Sequence, residues 1–358
     1  MIVGDSISHG LEGDYTWRYR LARHFAAHGV PARFTGPWTG TRALPDLPKE
    51  GADEMREGGY RPGTRFAHDR HYARWGRLMD EARRNIADAV AAHRPDHLVV
   101  ALGFNDLAWG VSGPERLLAH VGEFVRRARG VRPDLRFLVA DVVRRTPLPH
   151  MPHLQGIVEE YNARLPAVLA ALSTPDSPVV PVGLAAVYDP YADTYDGLHP
   201  NSVGEFRIAK AFADAFSRAF HGGRLDFAGP IPSVAEPLPI RPPAGLTVAA
   251  RGSTARVSWP RVFGASGYWL DLRDAGTGTG FERSPLPITA CGCDLRLHGG
   301  RTYEVRVSAA RGDQQSPPTR TVRFALGQDR EPVFAHAGDA AFREPMDHRR
   351  YDWVAYRV

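Results

Sequence analysis

Four side chains in this 358-residue sequence carry the chemistry of acyl transfer. Ser6 stands where the apolar opening run Met1-Ile2-Val3 breaks at Gly4-Asp5. A serine hydroxyl is a weak nucleophile until a base takes its proton and a third group orients that base. Asp196-Gly197-Leu198-His199-Pro200 can supply both from one turn. At that separation the carboxylate can accept a hydrogen bond from one ring nitrogen and leave the other facing Ser6. Asn105, in Gly103-Phe104-Asn105-Asp106, can offer an amide N–H to an oxyanion, and the backbone N–H of Ser6 is a second donor. Taken singly, each has a plainer reading: the serine as a cap, the asparagine as a loop tie, the Asp-x-x-His pair as a surface turn. The fold must decide whether they meet.

The elements between them alternate in period. After the opening strand, Trp17, Leu21 and Phe25 recur at helical spacing and Gly29 is placed to end that helix, with Ala32–Thr35 as a second strand. Residues 36–74 are rich in Gly, Pro and charge, long for a passive connection. Leu78, Ala82, Ile86 and Val90 mark a helix, and His97–Leu102 is an apolar run fit for a strand buried on both faces. A helix from about Pro114, a strand at Arg136–Ala140, a helix from Leu154 that Pro166 should kink or restart, and a strand at Val179–Val182 follow. Ser202 and Glu205 have the spacing of a capping box for a last helix. This predicts an α/β fold, a doubly wound, flavodoxin-like parallel sheet of about five strands. Ser6, Asn105 and the Asp196–His199 turn then all follow strand ends on the rim where such sheets bind ligands.

Beyond a Pro-rich stretch, 226–243, the period becomes two: Tyr303, Val305, Val307 and Ala309 alternate with Glu304, Arg306 and Ser308, with further short strands near 246–250, 255–259, 267–274 and 319–326. An all-β sandwich is expected over 244–327. The division is thus 1–225, a linker at 226–243, the sandwich, and a tail at 328–358 whose Phe334, Phe342, Trp353 and Tyr356 are expected to dock on a domain.

Composition excludes other classes. No apolar run approaches a bilayer span. The formal charge is +5, but the basic pairs, such as Arg83-Arg84 and Arg126-Arg127, are scattered among acids, which argues against a nucleic-acid partner. Cys291 and Cys293 are too few for a zinc site and too close to bridge, and His68, Asp69 and His71 match no closed zinc spacing, so no metal and no cofactor is expected. His68 and His71 are instead candidates to line a substrate pocket, as is Trp109, which is otherwise a packing residue. Only three residues precede Gly4, leaving no space for a leader; a cytoplasmic address is expected for the chain as written, and a secreted one if a leader precedes it.

Gly4-Asp5-Ser6-Ile7, Gly103-Phe104-Asn105-Asp106 and Asp196-Gly197-Leu198-His199 resemble blocks I, III and V of the SGNH (GDSL) hydrolase family, in order and over residues 1–225, with Ile7 where leucine is usual. The resemblance implies Ser6 as nucleophile, His199 as base, Asp196 as its orienter and Asn105 as oxyanion donor. It also implies a block II glycine donor, for which Gly76 is chosen because it directly precedes a helix, with Gly36, Gly40 and Gly59 as rivals. The sandwich, through Trp259 and Tyr303-Glu304-Val305-Arg306-Val307-Ser308-Ala309, resembles a fibronectin type III domain, a module that often accompanies bacterial carbohydrate-active enzymes. A serine esterase removing short, acetyl-like groups from a carbohydrate or polar metabolite is therefore expected. A transacylase or a longer-chain lipase or thioesterase would use the same triad, and a glycan- or protein-binding sandwich on an inactive α/β domain is the alternative of another class.

Overall fold

The computed structural model of the chain describes residues 1–45 and 56–327. The tail at 328–358, with its expected docking, and 46–55 of the long loop lie outside the described residues. Two compact units are present: Met1–Arg42 with Glu57–Pro237, and a second whose described part is chiefly 238–327.

Up to residue 182 the strands are β1 (Ile2–Gly4), a two-stranded pair β2 (Thr41–Ala43) and β3 (Arg56–Gly58), β4 (Tyr72–Ala73), β5 (His97–Ala101), β6 (Arg136–Ala140) and β7 (Val179–Val182). Five of them form a parallel sheet in the order β4-β1-β5-β6-β7, with Val3 opposite both Tyr72 and Val100. The helices are α1 (Ser6–His9), α2 (Trp17–Ala27), α3 (Met79–His93), α4 (Phe104–Ala108), α5 (Pro114–Val131), α6 (Leu154–Leu172) and α7 (Ser202–His221). Helices α2 and α7 pack together, Trp17 stacking on Phe212 at 4.8 Å, while α3, α5 and α6 pack in a row. Leu98, Val100, Phe137 and Val139 fill the core between, as a sheet covered on both faces requires.

Three local expectations are corrected. The edge strand is Tyr72–Ala73 and not Ala32–Thr35: Phe34 makes one isolated bridge, to Asp69, because Gly36 turns the chain at φ +150° with its Cα against the His71 backbone. Pro166 does not restart a helix; α6 runs through it, Tyr161, Leu165 and Leu169 keeping one buried face. The capping box does not form. Asn201 caps α7, accepting from the N–H groups of Val203 and Gly204, whereas Glu205 reaches across to the Thr16 N–H at 2.6 Å and to Arg20. That buried carboxylate holds Thr16 at φ +72°, a conformation a threonine does not take unaided. Part of the expected linker stays on this unit: the Phe227 N–H bonds Asp214, and the Glu236 N–H bonds Ser202 Oγ.

The second unit is antiparallel. Its strands are β8 (Thr247–Arg251), β9 (Thr254–Ser258), β10 (Gly267–Asp274), β11 (Glu282–Arg283), β12 (Gly292–Arg296), β13 (Thr302–Arg311), β14 (Gln314–Gln315) and β15 (Val322–Ala325). One sheet is β12-β9-β8; the other has β10 and β13 at its centre. Trp259, Tyr268, Val305 and Val307 are buried in one core, and Cys291 and Cys293 are free thiols.

One buried cation ties the long loop to the sheet. The Arg18 side chain is fully buried on α2 and donates to the carbonyls of Ser8, His9, Gly40 and Asp69 at 2.6–3.1 Å. A guanidinium presents five donors in a planar fork, so it can serve several carbonyls that an ammonium could not. Arg18→Met, leaving these acceptors dry, is expected to cost about 3–5 kcal/mol in urea denaturation, with Arg18→Lys recovering only part. A loss under about 1 kcal/mol in Arg18→Met would mean that the loop is held by something else.

Candidate active site

Ser6 is set by the residues on either side. β1 ends at Gly4, where a Cβ would lie 2.3 Å from Ser8 Oγ and 3.2 Å from the Ala101 carbonyl, so α1 folds back against β5 only over a glycine. Asp5 caps the turn, its Oδ1 accepting from the Ile7 N–H at 3.0 Å. Burial pushes the Asp5 carboxyl up to about 7, against the pull of that N–H and of His199. The Ser6 N–H has no partner among the described residues.

The chain after β7 brings His199 and Asp196 to Ser6. His199 Nε2 lies 2.9 Å from Ser6 Oγ, and His199 Nδ1 lies 2.7 Å from Asp196 Oδ2. The other carboxylate oxygen accepts the N–H groups of Leu198 and His199. Partial burial works against a charge on Asp196, yet the imidazole and these N–H groups hold its pKa below the usual carboxylate value. The turn closes because Gly197 sits at φ +85° with Thr146 against it; the Thr146 N–H donates to the Gly197 carbonyl at 2.9 Å and Tyr188 Oη to the Leu198 carbonyl at 2.8 Å.

Asn105 and Asp106, on α4 after β5, grip the chain that follows β4. Asn105 Nδ2 donates one N–H to the Arg77 carbonyl at 3.1 Å, fixing the amide and leaving the second N–H unspent. Asp106, fully buried, accepts the N–H groups of Met79 and Asp80 and so caps α3 in place of Leu78, which gives no side-chain cap. Burial raises its pKa, although those N–H groups oppose this. Between these ties Gly76 takes φ +70°, its N–H without a partner among the described residues. Of its rivals, Gly40 spends its N–H on Asp69 at 2.8 Å, Gly36 is wedged on His71, and Gly59 gives its carbonyl to Gly13 and Thr41.

The three expected pocket residues part company. Trp109 is 53% exposed and its indole edge lies over Gly76. His68 is exposed in the loop. His71 does not line a pocket: it is fully buried, its ring against His9 and Trp38, and its Nδ1 accepts the Ala73 N–H. Burial, and then the nearby Arg18, keep His71 well below the usual histidine range and His9 at about 3, so both rings are neutral.

Trp75 is the neighbour that sequence reasoning missed. Its ring stacks on the His199 imidazole at 4.6 Å and 21°, its Nε1–H bonds the Gly10 carbonyl at 3.1 Å, and the Arg42 guanidinium lies 4.7 Å from its centre. Tyr195 also lies near-parallel to the imidazole, at 5.9 Å. The only signal in the sequence is adjacency to Gly76. Among the described residues no three His, Cys, Asp or Glu side chains gather as a metal site, and no helix is long and apolar enough to cross a membrane.

The first unit is similar in structure to a carbohydrate esterase family 3 protein from Talaromyces cellulolyticus, at 22% identity over 59% of this chain and 92% of that one, with a TM-score of 0.48. It is similar also to a Clostridium thermocellum family 3 carbohydrate esterase, at 21% identity over 62% and 96%, with a TM-score of 0.46. The second unit is similar to the fn3 domain of human collagen alpha-1(XX) chain, at 26% identity over 28% of this chain and 99% of that one, with a TM-score of 0.24. The model of the GDSL-like lipase/acylhydrolase family matches residues 2–205, more than half of the chain. The chain therefore belongs to the GDSL-like lipase/acylhydrolase family and is an ester-hydrolysing enzyme.

Proposed function

We propose that the chain is a serine esterase for short acyl groups, acetyl above all, on a polar, carbohydrate-like alcohol. What carries the reading is the unbroken relay of 2.9 Å from Ser6 Oγ to His199 Nε2 and 2.7 Å from His199 Nδ1 to Asp196. In this reading His199 takes the Ser6 proton as Oγ bonds to the ester carbonyl carbon. The oxyanion that forms accepts hydrogen bonds from the Ser6 N–H, the Gly76 N–H and the free N–H of Asn105. Collapse breaks the bond to the alcohol oxygen, which leaves with the proton that His199 held. Water, deprotonated by the same ring, then attacks the acyl-enzyme; Ser6 regains a proton and the acid departs.

The preference for a short acyl group rests on Trp109, whose indole edge stands beside the glycine proposed as oxyanion donor and narrows the space there. The preference for a polar alcohol rests on exposed aromatic surface at the rim, Trp109 above all, and on a long wall, 56–74, stiffened by hydrogen bonds such as Tyr60 Oη to Asp69. A flat aromatic face beside hydrogen-bonding groups suits a sugar ring better than an alkyl chain.

Hydrolysis of p-nitrophenyl acetate, butyrate and octanoate tests both parts. Acetate is expected to be turned over fastest, with Ser6→Ala lowering kcat by at least about 10³-fold and Asn105→Ala by about 10²–10³-fold. Full activity in Ser6→Ala would sink the proposed nucleophile, and a maximum at octanoate the short-acyl part. Stacking by Trp75 predicts a smaller effect. Trp75→Ala is expected to lower kcat/KM roughly 2- to 10-fold, the equivalent of about 0.5–1.5 kcal/mol, with Trp75→Phe in between. Equal rates in all three proteins would show that the stack does not position the base.

A further inference from the structure

Behind the turn that carries Asp196 and His199, the first unit holds a cavity of about 630 Å³, within the roughly 300–1,000 Å³ usual for small-molecule sites. Its walls are the loop after β6, the loop after β7, the start of α6, Phe104 of α4 and Arg207 of α7; Ser6, Asn105 and His199 are not among them, although Phe104 adjoins Asn105. Leu148, Met151, Leu154 and Val158 give it an apolar side.

Three guanidinium groups face it, and two are already matched. Arg207 Nε pairs with the buried Asp193 at 2.8 Å, and Arg144 with Glu159 at 3.5 Å. Arg145 differs. It is half-buried, gives its Nε–H to the adjacent Thr146 carbonyl at 3.1 Å, and its two terminal nitrogens find no partner among the described residues. Burial lowers its pKa, and the nearby charge of Asp196 offsets only part of this. Asp196 makes no hydrogen bond to Arg145; its oxygens serve His199 and two backbone N–H groups. The acid on the wall, Asp189, accepts the Tyr191 N–H. A half-desolvated cation with free forked donors at an apolar cavity is matched by a carboxylate or phosphate, which such a fork binds in two parallel hydrogen bonds.

We propose that this cavity binds a small amphipathic anion, its apolar body on Leu148, Met151, Leu154 and Val158 and its anionic head on the terminal nitrogens of Arg145. The site is separate from the one at Ser6 and does not depend on the esterase reading. Two of its wall residues hold the Asp196–His199 turn, Thr146 through the Gly197 carbonyl and Tyr188 through the Leu198 carbonyl, so an occupant touches the supports of the dyad.

Titration calorimetry of the full chain with octanoate, octyl phosphate and octanol tests this. At least one of the two anions is expected to bind one to one, the tighter of them identifying the head as carboxylate or phosphate. Octanol is expected to bind at least about tenfold more weakly. Arg145→Met should weaken the anion by roughly tenfold or more, and Leu148→Trp, which fills the cavity and leaves the guanidinium in place, should do the same. Ser6→Ala, which removes only the hydroxyl at the proposed catalytic site, should leave the affinity unchanged. The proposal is overturned if neither anion binds, if octanol binds as well as both, if folded Arg145→Met and Leu148→Trp bind like the wild type, or if Ser6→Ala abolishes binding.

Discussion

A guanidinium buried without exposure has to find an acceptor for every donor it can, because a charge taken out of water is costly until it is hydrogen-bonded. Arg18 meets that demand with four backbone carbonyls from three separate segments: Ser8 and His9 just beyond the proposed nucleophile, Gly40 in the first half of the long loop, and Asp69 near its end. The segments are thereby fixed to one rigid fork. Asp69 adds its own ties to the Gly40 N–H and to Tyr60. The consequence reaches the titration of the neighbourhood: desolvation and the Arg18 charge together keep His9 and His71 neutral, leaving the exposed edge of the site to His199. A loop of this length would otherwise sample many conformations, and a wall that moves cannot select a substrate.

Three aspartates around the site do similar mechanical work, and their pKa values shift in different directions. Asp5, Asp106 and Asp196 each accept backbone N–H groups that a turn or helix start leaves unpaired. For Asp5 and Asp106, burial dominates and raises the pKa. For Asp196 the imidazole at 2.7 Å reverses the sign. Desolvation acts on all three, and a basic ring within hydrogen-bonding distance is what separates the third. The local sequence reflects this: the carboxylate that pairs with the imidazole is three residues from it, while those that only hold backbone are next to Ser6 and Asn105.

Ser6 and Asn105 could be picked out of the sequence because each closely follows a strand, and Asp196 and His199 because they stand three residues apart in the connection after β7; the wound topology puts such positions on one rim. The sheet itself was legible for the same reason wherever a strand was apolar and continuous, as at β5 and β6. What failed had causes outside any local window. Glu205 has the spacing of a capping box, but its partner Thr16 lies 189 residues away. Ala32–Thr35 suits a second strand by its residues, whereas pairing depends on where Gly36 sends the chain. Pro166 removes one hydrogen bond from α6 without ending it, because the apolar face on either side of the proline is already anchored. β12, with Gly292 and Cys293, lacked the alternation that gave β13 away.

The same distinction explains why Trp75 and Arg145 were invisible. Neither sits in a pattern, and each acquires meaning from a group on a distant segment: His199 for the indole, Asp196 and the loop after β7 for the guanidinium. Both meet the Asp196–His199 turn, one at the imidazole and one behind the carboxylate. That turn is a short loop closed by a glycine at positive φ and a few hydrogen bonds, so its position is set by what packs on its faces as much as by its own sequence. A dyad built on such a turn gains precision from its neighbours, and can be displaced through them. A relay of two hydrogen bonds under 3 Å tolerates little displacement before one of them fails, and this makes the packing around the turn part of the catalytic geometry.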